Sequence, residues 1–84
     1  MKELTKFAIY RKEDGYYIDL ENINNQTKNI DDASTYFSYG DTIRILLNQF
    51  SIDYILNNFE IHEIKVSITN KIVNKSQLKI ITKS

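Results

Sequence analysis

Between Thr42 and Phe59 the chain reads TIRILLNQFSIDYILNNF, nearly the same nine residues written twice. Thr42-Ile43 answers Ser51-Ile52, Leu47-Asn48 answers Leu56-Asn57, and Phe50 answers Phe59. Ile43, Leu46, Leu47 and Phe50 fall at the i, i+3, i+4, i+7 spacing of one buried helical face, and Ile52, Ile55, Leu56 and Phe59 repeat it. The copies are nine residues apart, and nine steps of about 100° turn a helix through half a circle. One straight helix would therefore aim its two apolar stripes at opposite sides. A break near Gln49–Ser51 resolves the conflict. Ser51 then caps a second helix, Phe50 staples onto Ile55, Ser38 or Asp41 caps the first helix, and Ile45 and Tyr54 point outward. The alternative is one continuous helix with Ile45 in one stripe and Tyr54 in the other, the second side being covered by residues 22–40 or by another subunit. A helix broken near Ser51 is expected.

The flanking segments alternate with period two. LTKFAIYRKE and YYIDLEN surround Asp14-Gly15, a pair suited to a two-residue type I′ turn. That turn pairs Ile9 with Leu20 and Arg11 with Ile18, and it puts Phe7, Ile9, Ile18 and Leu20 on one face, with Ala8, Tyr10, Lys12, Tyr17 and Asp19 on the other. At the far end, His62, Ile64, Val66, Ile68 and Ile72 share a face opposite Lys65, Ser67, Thr69 and Lys71. A turn at residues 74–77 keeps Ile72 inside and lets Leu78, Ile80 and Thr82 resume the apolar face; Asn70-Lys71 is the rival turn. Between the hairpins lies ENINNQTKNIDDASTYFSYG. Its first part, Asn22–Asn29, reads as mobile, and its second as a short helix capped by Asp31 or Asp32, with Ala33, Tyr36 and Phe37 on one side and Gly40 as its stop.

These elements predict one α+β domain over residues 1–84: a ββ-α(α)-ββ order, a four-stranded antiparallel sheet, and one kinked or two short helices on one face. An 84-residue chain without cysteine must take its stability from apolar packing, helped where needed by a partner subunit. No apolar run is long enough to span a bilayer, and the N-terminus lacks the apolar core of a secretory signal, so a cytoplasmic protein is expected. Isoleucine, lysine and asparagine dominate and proline is absent, a bias that points to an AT-rich bacterium or to a phage or plasmid within it.

Chemistry is sparse. His62 is the single histidine, and two visible ligand groups do not make a zinc site, so it reads as a strand-end histidine without special role. With two glycines there is no phosphate-cradling loop, and Ser51 with Asp53 is explained by a helix cap. No enzyme, cofactor or metal is expected. The net charge of zero hides a segregation: residues 1–12 carry +3, residues 13–60 carry −7 and residues 61–84 carry +4.

Two surfaces are therefore candidates. On the side of the helices and the acidic loop, Asp31, Asp32, Tyr36, Tyr39, Asp41, Ile45 and Tyr54 would meet a partner protein or nucleoprotein complex of the host, such as a nuclease or defence complex inhibited in the manner of anti-CRISPR proteins. On the outer sheet face, Lys6, Tyr10, Lys12, Tyr17, Lys65, Lys71, Lys79 and Lys83 would meet nucleic acid. A homodimer is the third expectation, and no membrane contact is foreseen.

Overall fold

The computed structural model describes residues 2–22 and 24–81. Strand β1 (Lys2–Arg11) turns into the short β2 (Tyr16–Ile18); helices α1 (Tyr39–Leu47) and α2 (Ile52–Asn58) lead into the long hairpin of β3 (Phe59–Thr69) and β4 (Ile72–Ile81). The four strands form one antiparallel sheet in the order β2-β1-β3-β4, as the alternation predicts. The N-terminal strand is central because β3 pairs with it along its whole length, from Lys2 opposite Ile68 to Arg11 opposite Phe59.

The doubled segment breaks where the half-turn argument places the break. Ser51 is the N-cap of α2 and its hydroxyl accepts from the Tyr54 amide, while Ser38, rather than Asp41, caps α1 by accepting from the Asp41 amide. At the other end of α2, Lys12 meets the open carbonyls: its ammonium donates to Leu56 and its amide to Asn58. Phe50 stacks on Tyr54 at 4.8 Å and lies against Phe59 at 5.3 Å. The first stripe is rotated from its expected position, while in α2 Ile55 and Phe59 are buried and Leu56 is half-buried as expected. Thr42 and Leu46 are buried with Tyr39 and Ile43 half-buried beside them, whereas Leu47 and Ile52 are exposed. The buried line 39-42-43-46 still has helical spacing; it includes a threonine because the Thr42 hydroxyl donates to the Tyr39 carbonyl at 2.6 Å and so carries no unmet hydrogen bond inside.

Both hairpins depart from the expected register. Ile9 pairs with Ile18 and Arg11 with Tyr16, which leaves Lys12 to Gly15 as a four-residue loop and moves the pairing by two positions. A shift of two preserves the faces. The loop closes through Gly15 N–H to the Arg11 carbonyl at 2.9 Å and through the Arg11 guanidinium, which forks onto Asp14 and holds that carboxyl below its ordinary range. In the second hairpin the turn is Asn70-Lys71, both at positive φ (52° and 68°), and not residues 74–77. Asparagine tolerates the left-handed region, and the twist of a type I′ turn suits two long strands. Ile72 is consequently exposed, at 62%.

A further correction concerns which apolar residues share a face. In β3, Phe59 and Ile61 join Ile9, Ile18, Leu46 and Ile55 under the helices, but Ile64 and Val66 belong to a second cluster with Ala8, Tyr17 and Ala33 on the opposite face. The apolar phase of β3 flips between Ile61 and Ile64, so the sheet has a core on each side. What covers the second side is the polar segment. Thr27, expected in a mobile stretch, exchanges two backbone hydrogen bonds with Tyr17 at the outer edge of β2. Residues Ile30–Asp32 make a single 3-10 turn capped by Asn29, in place of the helix expected toward Gly40, which is instead the second residue of α1. Ile30 and Ala33 pack on the sheet, Asp31 accepts from the Lys75 amide of β4 at 3.0 Å, and Tyr36 returns to exchange two bonds with Phe7. Residues 27–36 thus form a strap across the second face.

Asp19 fastens the strap's return. Burial opposes its ionisation, but donors from the Glu21 and Asn22 amides and from the Ser34 and Tyr36 hydroxyls outweigh that and hold its carboxyl below the ordinary range. Burial, and then the charge of Asp19, pushes the Tyr36 phenol well up.

Candidate functional site on the strapped face

Alternation in three strands brings Tyr10 (β1), Tyr17 (β2) and Glu60 with His62 (β3) to the strapped face beside the end of the strap. Tyr10 lies directly opposite both Tyr17 and Glu60 across its two neighbouring strands. The His62 ring, 3% exposed, stacks on Tyr10 at 4.5 Å and meets Tyr17 edge-on at 5.3 Å. Its Nδ1 is 2.9 Å from the Tyr17 hydroxyl, and its Nε2 is 2.9 Å from Glu60 Oε1. The tautomer that satisfies both contacts carries its proton on Nε2, so Tyr17 donates to Nδ1 and His62 donates to the carboxylate. Burial, and then the neighbouring Tyr10 and Glu60, pushes the Tyr17 phenol up, which keeps it a donor.

The four side chains floor an open groove of about 630 Å³. Lys28 stands on one rim with its ammonium drawn over the Tyr16 ring, 5.2 Å from the centroid; Gln77 and Ile80 of β4 form the other rim, and Ile30 of the strap closes one end. Gly15 shapes the mouth. Its φ of +73° suits glycine, and a β-carbon there would lie 3.2 Å from the Tyr10 hydroxyl.

Residues grouped by the sequence reading are scattered. Of the lysine–tyrosine set, Tyr10 and Tyr17 belong to this site, and Lys6 shares their face, its ammonium 3.8 Å above the 80%-exposed ring of Phe37. Lys65 and Lys79 lie on the opposite face, near Glu3 and Glu63 at 4.0 and 3.7 Å. Lys71 is in the β3–β4 turn, Lys12 caps α2, and Lys83 lies outside the described residues. No common lysine face results. Of the other set, Asp31 and Asp32 sit at the strap turn, where Asp31 holds β4 and Asp32 accepts from Asn29 at 3.3 Å. Tyr36 is tied to Asp19 and Phe7. Tyr39, Asp41, Ile45 and Tyr54 are on the helices: Asp41 pairs with Arg44 at 3.2 Å, Ile45 is half-buried, and Tyr54 is 47% exposed. Glu60 and His62 were weighed as ligands in the sequence and set aside because two groups do not make a zinc site. Their common face was legible from their spacing of two; that the face is covered by a strap was not.

A second feature is the outer edge of β4. Ile72, Val73, Leu78 and Ile80 are exposed along it, and the strand is bulged at Leu78, where the register with β3 shifts. Among the described residues, the Asp31 carboxylate accepts from the Lys75 amide on that edge, and the Lys75 ammonium donates to the Ala33 carbonyl at 2.8 Å. No helix among the described residues is long and apolar enough to cross a membrane.

Comparison with protein-family models, curated proteins and solved structures finds no match to this chain.

Proposed function

We propose that this chain is a small non-enzymatic binding protein that acts by engaging a macromolecular partner, in concrete form a host nuclease or defence complex that it inhibits. The observation that supports this reading most is the free edge of β4. A ten-residue edge strand with four large apolar side chains in solvent is a surface that proteins ordinarily cover, twist away or charge. Among the described residues one amide of that edge, that of Lys75, is capped, and strand addition by a partner would satisfy others. The isoleucine-, lysine- and asparagine-rich composition suits a phage or plasmid of an AT-rich bacterium, with the host cytoplasm as its place of action.

The test is retention of a defined complex from a bacterial host lysate by the tagged chain, compared with a Val73→Lys/Leu78→Lys double variant. Charging an edge weakens pairing without touching either core, so retention should fall at least about tenfold, the equivalent of about 1.4 kcal/mol. Equal retention by both proteins, or none by either, overturns the proposal. The same edge favours one further reading, antiparallel pairing of β4 with a second copy; sedimentation as a monomer at tens of micromolar excludes it. Nucleic-acid binding is the remaining alternative and predicts steep salt dependence. The dispersal of the lysines over both faces weighs against it.

A further inference from the structure

We infer that the groove on the strapped face is a guanidinium site that takes an arginine side chain of the protein partner, an inference that rests on the protein-binding reading above. Tyr17 and Glu60 satisfy both nitrogens of His62, and no lysine or arginine among the described residues pairs with the Glu60 carboxylate. The Nε2 contact fixes Oε1, while Oε2 has no donor among the described residues and the side chain keeps 23% of its surface in the groove. A carboxylate anchored through one oxygen and open at the other is a preorganised acceptor.

Beside it, directly across the β1–β3 pair, stands the Tyr10 ring, braced from behind by the stacked His62. A carboxylate next to a supported aromatic ring matches the two recognition modes of arginine together: N–H donors onto the oxygen and the guanidinium plane against the π system. An ammonium, a hydrated point charge, uses only the first. Anions are disfavoured by Glu60 on the floor and by Asp31 and Asp32 at the strap turn, next to the groove-lining Asn29 and Ile30. Lys28, the one lysine or arginine among the described residues that line the groove, is directed over Tyr16. Gln77 on the far rim offers an amide oxygen to a second guanidinium N–H.

The probe is N-acetyl-arginine-N-methylamide, titrated into the isotope-labelled full chain and followed by amide chemical shifts. Its neutral isostere, N-acetyl-citrulline-N-methylamide, is the control. Shifts are expected at Tyr10, Gly15, Glu60 and His62, with a dissociation constant on the order of 1 mM and the citrulline probe at least about tenfold weaker. Glu60→Gln should reduce arginine affinity by at least about tenfold as well. Should that variant fail to fold, the arginine–citrulline comparison on the unaltered chain still decides. Equal affinity for the two probes, shifts confined to surfaces other than the groove, or no saturable shift overturns the inference. Failure of the arginine probe while the lysate complex is retained removes the groove alone; arginine binding without any retained complex removes the wider reading and leaves the site.

Discussion

Replacing Leu46 by alanine is expected to destabilise the chain by about 3 kcal/mol, within the roughly 2–5 kcal/mol range for a fully buried leucine. Leu46 is 0% exposed and sits where α1 meets the Ile9, Ile18, Ile61 cluster. The neighbouring side chains are held by the sheet on one side and α2 on the other, so little collapse into the cavity can offset the loss. For a domain of this size about 1 kcal/mol moves the melting temperature by about 4–8 °C, so the drop should be about 12–24 °C. Leu47→Ala is the internal control. The sequence stripe treats the two leucines alike, yet Leu47 is half in solvent, and its replacement should stay within about 0.5 kcal/mol. Thermal and urea unfolding of the two variants measure the difference. Equal losses would show that α1 is rotated from the orientation described.

Tyr17→Ala is expected to match or exceed that loss, at about 3–5 kcal/mol. The ring belongs to the second core, and its hydroxyl is the donor to His62 Nδ1. Removing both leaves a cavity beneath the strap and a buried nitrogen without a partner. Tyr17→Phe separates the two contributions. It keeps the ring and unpairs Nδ1, and should cost about 1–3 kcal/mol. A Tyr17→Phe variant as stable as the parent would mean that the Tyr17–His62–Glu60 chain of contacts contributes nothing, and the anchoring of Glu60 would lose its basis. The strand interior of Tyr17 also explains why the residue cannot serve as an exposed base-stacking platform.

Much of this architecture was legible in the residues. The half-turn offset of the doubled segment required a break, and Ser51 occupies it with its hydroxyl on the Tyr54 amide. Period-two alternation gave the four strands, their antiparallel sheet and the sharing of faces by Phe7, Ile9 and Ile18. What was not legible depends on partners distant in sequence. Asp14-Gly15 favours a two-residue turn locally, but pairing Ile9 with Ile18 aligns β1 with both its neighbours, and the loop widens to four residues. Local preference for Ile72 inside yields to the geometry of Asn70-Lys71, which lets β4 run the length of β3. The strap is the extreme case. ENINNQTKNIDDASTYFSYG has too few apolar residues to announce a covering element; among the described residues it sets Ile30 and Ala33 against the second core, while side chains such as Asp19, Asp31 and Ser34 supply the fastening. For the same reason the site was invisible: Glu60 and His62 look like strand-end polar residues until the strap turns their face into a groove.

The strap decides which surfaces remain, leaving the groove beside it and the edge of β4 beyond Asp31, so the candidate site and the proposed function both rest on its position. Amide hydrogen exchange reads it residue by residue. The Tyr36 amide bonds to the Phe7 carbonyl at 2.7 Å and the Thr27 amide to the Tyr17 carbonyl at 3.1 Å. Both should exchange slowly, by a factor on the order of 10³ below unprotected rates, and together with the amides of β1. Exchange of Tyr36 and Thr27 at unprotected rates while β1 stays protected would place the strap in solvent and contradict the second core, the groove and the reading built on them.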